Sequence, residues 1–243
     1  MPRDTRPLTL HTADGLALAA EVWPAPEAGA SGAVVVLVHG FTAHRRDPSV
    51  LAMAHELRAA GHTVVAYDMR GHVVALAVAA ARDLEPRVVL VGASLGAVAV
   101  LRYAVDDDDL AGVVTVSSPA RWRLRTPRTV VAAGLTRTRV GRRLARRLGA
   151  RLDHRWRWTE PPDVLAARLA VPLAVVHGDD DRFMPTSEAE ILHDAGAGAG
   201  GHGARRRLDL VPRMGHAFCA HGLEAITEAV DWCLAATAVA QPA

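Results

Sequence analysis

Residues 88–96 read Val-Val-Leu-Val-Gly-Ala-Ser-Leu-Gly, and this stretch decides the fold. The four apolar residues without alternation are typical of a strand buried on both faces, and a helical pattern follows at 95–105. A serine between two glycines at this junction indicates a turn too tight for larger neighbours, which lifts the hydroxyl clear of the sheet. The spacing predicts a nucleophile at Ser94, at a helix N-terminus that favours negative charge. The alternative is an incidental serine, because glycine-rich turns are common in doubly wound folds.

Patterns of the same kind recur on both sides of this turn and alternate with helical patterns. Such alternation predicts an α/β fold with an open, doubly wound, mostly parallel sheet. An antiparallel hairpin around Ala13-Asp14-Gly15 precedes it. Two strands are predicted within 8–23, and the others at 33–38, 63–67, 87–91, 110–116, 173–176 and 208–211. The predicted helices are 48–60, 73–84, 95–105, 185–195 and 219–238.

The length and composition of the chain fit one globular domain. It has 243 residues, of which 50% are hydrophobic and 22% charged, enough for a sizeable core. No apolar run reaches the roughly 18 residues of a membrane-spanning helix, and the first residues lack the pattern of a secretion signal. We therefore expect a cytoplasmic protein and do not expect membrane contact. A net charge of +2 is too small to indicate nucleic acid as a partner.

The two cysteines, Cys219 and Cys233, both fall in the last predicted helix. In a continuous helix their Cα atoms would lie roughly 21 Å apart. Because a disulfide needs Cα atoms within about 7 Å, none is expected. Two cysteines are also too few for a metal–thiolate cluster, and no metal is expected.

One segment, residues 119–171, interrupts the alternation of strands and helices. It lacks a buried-strand pattern and contains Arg-rich helical stretches, so we predict a helical cap inserted into a core made of 1–118 and 172–243. Between residues 121 and 157 the chain has thirteen arginines and a single acidic residue. The arginines within 142–147 share one side of a helix, opposite the leucines, which favours a solvated face.

Three further motifs follow predicted strands. His39-Gly40-Phe41 comes after 33–38, and Met214-Gly215-His216-Ala217-Phe218 comes after 208–211. Residues 177–185 read His-Gly-Asp-Asp-Asp-Arg-Phe-Met-Pro and come after 173–176. Open α/β sheets bind ligands at the carboxyl ends of their strands. The motifs therefore indicate one site, supplied in the chain order serine, acid, histidine.

In these motifs and their order the chain resembles the α/β-hydrolase family. Within that family it is similar to serine hydrolases with a small cap, such as esterases and lysophospholipase-like or thioesterase-like enzymes. The resemblance extends over residues 8–236 and implies an α/β-hydrolase fold. By the family pattern Gly-x-x-Asp-x-x-x-Pro, the catalytic acid is Asp181. Asp179 and Asp180 are the alternatives for that role.

The resemblance implies a two-step acyl transfer. Ser94 attacks an ester carbonyl, His216 takes its proton, and the backbone N–H groups of Phe41 and Leu95 bind the oxyanion. The implied function is hydrolysis of a carboxylic ester without a cofactor. Haloalkane dehalogenases and epoxide hydrolases carry Asp at the elbow, so the serine argues against both. Two alternatives stay open: a thioesterase or acyltransferase of a biosynthetic pathway, and a non-catalytic binding protein of the same fold.

The expected partner is a small-molecule ester or thioester, and three side chains are candidates for contact with it. These are His39, which more often supports the oxyanion loop in such enzymes, and Trp122 and Trp156 of the predicted cap. One interpretation of the cap is an aromatic acyl pocket with a cationic rim for anionic esters. The alternatives are arginines on a solvated face, or a basic amphipathic surface that touches an anionic membrane.

Residues 67–72, Tyr-Asp-Met-Arg-Gly-His, also resemble a turn of this family but depart from its pattern. Family members continue with a longer loop, whereas this chain passes directly to a helical pattern that begins at Val73. Either the shorter loop opens the mouth of the active site, or a loop is missing from the chain as printed.

Overall fold

The computed structural model describes residues 5–41, 43–69, 73–122, 130–131, 138–147, 160–195 and 204–238. Within them, the strands are β1 (Arg6–His11), β2 (Ala17–Trp23), β3 (Ala33–Val38), β4 (Thr63–Tyr67), β5 (Arg87–Ala93), β6 (Gly112–Val116), β7 (Leu173–Gly178) and β8 (Arg206–Val211). They form one sheet in the order β1-β2-β4-β3-β5-β6-β7-β8. The pairs β1–β2 and β2–β4 are antiparallel, and all other neighbours are parallel. The predicted hairpin and mostly parallel sheet are confirmed.

Helices connect most of the parallel strands. They are α1 (Pro48–Ala59), α2 (Val74–Arg82), α3 (Leu95–Ala104), α4 (Arg139–Arg147), α5 (Pro162–Ala167), α6 (Thr186–Asp194) and α7 (Leu223–Ala238). In the part of the chain that the structure describes, no helix is long and apolar enough to cross a membrane.

Helices cover both faces of the sheet, as the doubly wound prediction requires. Val34 and Val36 of β3 belong to the buried cluster on one face, and Val35 and Leu37 to the cluster on the other. Helices α2, α3, α5 and α6 contribute to the first cluster, and α1 and α7 to the second. Every residue of β3 and β4 is therefore buried, which explains the apolar runs without alternation.

The last helix differs from its prediction. A 3₁₀ turn, Ala220–Gly222, precedes α7, and Cys219 lies before that turn. Gly222 packs so closely on Met214 that a Cβ there would lie 2.6 Å from the Met214 Sδ atom. The α-helix begins at Leu223, after this contact, so the placement of Cys219 in the helix was wrong. Both cysteines are free thiols.

The first and last parts of the predicted cap pack into the core. Ala120, Leu165 and Leu169 belong to the same buried cluster as strand and helix residues of the first face. Between them lies α4, in which Arg143 and Arg147 are exposed and Leu144 is also 49% exposed. The division into core and cap at residues 119 and 171 stays a prediction.

Candidate active site

Ser94 lies at the junction between β5 and α3, where the sequence places it. Its backbone has φ 52° and ψ −114°, a conformation that L-residues rarely adopt and that costs roughly 1–3 kcal/mol. The N–H of Ser94 donates a hydrogen bond of 2.8 Å to the carbonyl oxygen of Val116, at the end of the neighbouring strand β6. The strained turn is therefore held by the sheet beside it.

The two flanking glycines are required by close backbone contacts. A Cβ on Gly92 would lie 2.5 Å from the carbonyl oxygen of Gly96, and one on Gly96 would lie 2.2 Å from the carbonyl oxygen of Val38. Both distances are far below contact, and backbone atoms cannot give way as a flexible side chain does. The motif is thus explained by the packing of α3 against β5 and the end of β3.

The segment after β3 approaches the serine closely. A Cβ on Gly40 would lie 3.3 Å from Ser94 Cβ and 3.9 Å from Ser94 Oγ. Phe41 follows Gly40, and Leu95 is the first residue of α3, where helical N–H groups lack partners within the helix. Among the described residues, neither the Phe41 nor the Leu95 N–H donates a hydrogen bond. Two donors are thus available on the β3 side of Ser94.

His39 holds this segment in place. Its Nε2 accepts a hydrogen bond of 3.0 Å from the Met69 N–H, so Nδ1 carries the proton and donates to the Gly40 carbonyl oxygen at 2.9 Å. Burial lowers the pKa of His39, against the opposing effects of its Gly40 hydrogen bond and of Asp68. Both ring nitrogens bind main-chain groups, which ties the loop after β3 to the loop after β4.

Asp181 and His216 form a hydrogen-bonded pair on neighbouring loops. Asp181 Oδ2 lies 2.8 Å from His216 Nδ1, and the carboxylate is fully buried whereas the imidazole is 21% exposed. Asp181 Oδ1 accepts hydrogen bonds from the N–H groups of Phe183 and Met184 at 2.8 and 3.0 Å. Burial alone would raise the pKa of Asp181, but His216 and these two N–H groups hold it below its usual value.

The two other aspartates of this loop point elsewhere. Asp179 Oδ1 accepts a hydrogen bond from the Arg213 N–H at 2.6 Å, and Asp180 lies on the surface, 3.6 Å from the Arg182 guanidinium. Of the three adjacent carboxylates, the structure brings Asp181 to His216.

Ser117 connects the histidine loop to the same strand end that holds Ser94. Its hydroxyl accepts a hydrogen bond of 3.1 Å from the N–H of Ala217, the residue after His216. Ser117 and Ala217 have φ values of 50° and 62°, so each side of this contact is a strained backbone. Val116 thus binds the turn that carries Ser94, and the next residue, Ser117, binds the loop that carries His216. Within the described residues Ser94 Oγ makes no hydrogen bond with His216, and in structures without substrate such contacts are often long.

Sequence reasoning missed the contacts that three residues make around the pair. The first is Ser117. His177 is fully buried, donates from Nε2 to the Met184 carbonyl oxygen at 3.0 Å, and lies 3.7 Å from Asp181 Oδ2. The ring of Phe183 lies against His216, with centroids 4.7 Å apart and planes tilted by 33°. The contacts of Ser117 and Phe183 leave no local pattern in the sequence, because each joins separate loops, whereas those of His177 stay within residues 177–184.

The remaining predicted residues lie in or beside the cap. Trp122 is half-buried at its base, whereas Trp156 lies outside the described residues. Arg70, Gly71 and His72, where the chain departs from the family pattern, are also outside them. In the part of the chain described, no group of three or more histidine, cysteine or acidic side chains is placed to hold a metal ion.

The chain shares its fold with known hydrolases. The model of the alpha/beta hydrolase family matches residues 35–229. No curated protein matches the chain by sequence. Est1E from Butyrivibrio proteoclasticus is 18% identical, with a TM-score of 0.64 over 96% of this chain and 99% of that one. XC6422 from Xanthomonas campestris, an a/b serine hydrolase without lid, is 17% identical, with a TM-score of 0.59 over 100% of this chain and 98% of that one. DcsB, solved with its substrate analogue, is 14% identical, with a TM-score of 0.70 over 95% and 99%. At these identities the likeness shows the fold.

Proposed function

The chain belongs to the alpha/beta hydrolase family, and on that premise we propose that it is a serine hydrolase that cleaves carboxylic esters. The observation that carries the proposal is the hydrogen bond between the buried Asp181 carboxylate and His216, with 2.8 Å between Oδ2 and Nδ1, at the carboxyl end of the sheet, where the strained Ser94 also lies. A carboxylate that fixes Nδ1–H leaves Nε2 as the basic nitrogen. Nucleophilic catalysis requires a base in that protonation state.

Acylation follows from these positions. Ser94 Oγ attacks the ester carbonyl carbon while its proton passes to His216 Nε2, and the buried carboxylate of Asp181 stabilises the imidazolium that forms. The carbonyl oxygen becomes an oxyanion, which the N–H groups of Phe41 and Leu95 bind. One such donor contributes roughly 3–4 kcal/mol to the transition state. The bond to the alcohol oxygen then breaks, and His216 returns the proton to the departing alcohol.

Deacylation follows the same steps, with water in place of Ser94 as the nucleophile. His216 takes a proton from water as the water oxygen attacks the acyl carbon, and the same two N–H groups bind the oxyanion. The bond between Ser94 Oγ and the acyl carbon breaks, and Ser94 takes a proton from His216. The carboxylic acid then leaves.

The proposal is tested with p-nitrophenyl esters and the variant Ser94→Ala. We expect the variant to fold with an unchanged circular dichroism spectrum and to lose at least about a thousandfold in kcat/KM, because triad members act as a unit. The matched control is Ser118→Ala, whose hydroxyl donates a hydrogen bond of 3.0 Å to the adjacent Pro119 carbonyl oxygen and makes no contact with Ser94 or His216 within the described residues. Its activity should stay within about threefold of wild type, as is usual for a substitution away from the reacting groups.

A folded Ser94→Ala protein that retains more than about a tenth of the wild-type rate would overturn the assignment. The same panel, extended to acyl-CoA thioesters, decides the two alternatives. Faster turnover of thioesters would favour a thioesterase or acyltransferase. Absence of turnover on every substrate would favour a binding protein.

A further inference from the structure

Phe183 is a half-exposed aromatic ring beside the proposed general base. Its side chain faces His216, with 4.7 Å between ring centroids, and the residue keeps 36% of its surface exposed. Its backbone is held as well, because the Phe183 N–H donates a hydrogen bond of 2.8 Å to Asp181 Oδ1. The ring is therefore a positioned apolar surface at the edge of the site.

The order of strands decides which part of a substrate this surface meets. In the sheet, β3 lies on one side of β5, and β6 and then β7 lie on the other. Phe41 follows β3, so the oxyanion binds on that side of Ser94, together with Leu95 at the start of α3. Phe183 follows β7, on the opposite side. The ring and the oxyanion donors thus flank the serine from opposite directions.

The chemistry of acyl transfer gives the same assignment. His216 Nδ1 is engaged by Asp181, so the imidazole presents Nε2 to the reacting atoms. The general acid must reach the oxygen of the departing alcohol, so the alcohol lies beside the imidazole. A group attached to that oxygen extends over the surface next to His216, and Phe183 covers part of that surface.

We propose that Phe183 forms the leaving-group subsite of this enzyme and selects esters of aromatic or bulky apolar alcohols. This inference rests on the proposed ester hydrolysis and names its substrate class. A flat apolar ring gains from stacking on an aromatic alcohol and from the surface that the contact removes from water. A small alcohol does not reach the ring and gains little.

The test varies the alcohol and keeps the acyl group constant. Phenyl acetate carries an aromatic alcohol, and 2,2,2-trifluoroethyl acetate carries a small activated one. We expect Phe183→Ala to lower kcat/KM about tenfold for phenyl acetate, the size of one lost aromatic contact, and less than about twofold for the trifluoroethyl ester. Phe183→Leu should give an intermediate loss. Hydrolysis of the acetyl-enzyme, which is common to both substrates, should not change because the alcohol has already left.

Arg182→Ala is the matched control. Arg182 precedes Phe183 on the same loop, its side chain is 69% exposed, and it faces Asp180 rather than His216. We expect the ratio of kcat/KM for phenyl acetate to kcat/KM for the trifluoroethyl ester to be the same in Arg182→Ala as in the wild type. Equal thermal midpoints for the wild type and the three variants would show that folding is preserved.

Two results would overturn the inference while leaving ester hydrolysis intact. The first is an equal loss on both esters together with slower deacylation, which would make Phe183 a positioning residue for His216. The second is a change in preference between phenyl acetate and phenyl butyrate without a change between alcohols, which would place the ring in the acyl subsite. If the wild type, like the Ser94→Ala variant, hydrolyses no ester, the proposed function itself is overturned.

Discussion

At the scale of single residues, three adjacent aspartates acquire three environments within one loop. Asp179 accepts a hydrogen bond from the Arg213 N–H, and Asp180 is exposed to solvent. The Asp181 carboxylate is fully buried against His216. A buried carboxylate that accepts three hydrogen bonds stays ionised, and it orients the imidazole that shares it. Identical side chains therefore differ in function because of their partners.

We expect Asp181→Asn to lower kcat by about a thousandfold or more, because the amide neither fixes the tautomer of His216 nor stabilises its cation. Asp179→Asn and Asp180→Asn are matched controls of the same chemistry and should stay within about threefold. Steady-state kinetics of the three purified variants, at equal folded concentration, measure the difference. A large loss in Asp180→Asn with little in Asp181→Asn would shift the acid by one position.

The sequence revealed Ser94 and its glycines because steric exclusion leaves a local pattern. A Cβ on Gly96 has no space beside Val38, so glycine is the residue that fits this turn. Ser117 left no such pattern, since its partner Ala217 lies 100 residues further along the chain. Contacts of this kind appear only when the loops are assembled. The same holds for Phe183 against His216.

At the scale of elements, strands buried on both faces were the best-predicted part of the chain. Strand β3 and strand β4 have the predicted bounds, because their apolar runs are long and unbroken. Strand β8 begins before its predicted start, at Arg206, because an edge strand need not be apolar throughout. Its arginines find other partners, such as the Arg206 guanidinium on the Ala166 carbonyl oxygen.

His62 links three elements and provides a test of stability against pH. It precedes β4 and is 1% exposed; its Nδ1 lies 2.8 Å from Ser31 Oγ, and its Nε2 lies 3.1 Å from Asp231 Oδ1 on α7. Burial lowers the pKa of His62, with Arg87 adding to the shift and Asp231 opposing it. The folded protein therefore holds this imidazole neutral at a pH where the unfolded chain binds a proton.

We expect the free energy of unfolding to decrease as the pH falls below about 6.5, where an unfolded histidine titrates. The decrease continues until the folded pKa is reached, with at most about 1.4 kcal/mol per pH unit from one such group. His39, whose pKa is also lowered, contributes in the same direction. Urea unfolding at pH 7.5, 6.5 and 5.5 measures the slope.

The variant His62→Gln should reduce that slope, because glutamine keeps a polar side chain but does not titrate. His55→Gln is the control, since His55 is exposed on α1. An unchanged slope in His62→Gln, or equal stability of the wild type at all three pH values, would contradict the prediction.

At the scale of the whole molecule, positive charge is concentrated in one segment. The thirteen arginines between residues 121 and 157 leave the rest of the chain net acidic. At the base of this segment Arg121 pairs with Asp163 on α5, with 2.6 Å between Nε and Oδ2. On α4, Arg143 and Arg147 are exposed. The exposed α4 arginines fit the predicted solvated face, and Arg121 is engaged by Asp163.

We therefore expect kcat/KM for an anionic ester and kcat/KM for a neutral ester to change by the same factor when the salt concentration is raised. A neutral p-nitrophenyl ester is compared with an equally long ester that ends in a carboxylate, at low and high ionic strength. Attraction between exposed charges is screened over about 8–10 Å at physiological salt, so a cationic rim would show as a selective loss for the anionic ester. A selective loss that disappears in Arg→Ala variants of the cap would replace the solvated-face interpretation with a binding role.

The hydrogen bonds at the end of β6 determine how thermal motion acts on the site. The Ser94 N–H binds the carbonyl oxygen of Val116, and the Ala217 N–H binds the hydroxyl of the next residue, Ser117. Because both loops are attached at the end of the same strand, at Val116 and at the residue after it, we expect a displacement of this strand end to carry the two loops together. Such a displacement would change the distance between the main chains of Ser94 and His216 less than independent motion of the two loops would.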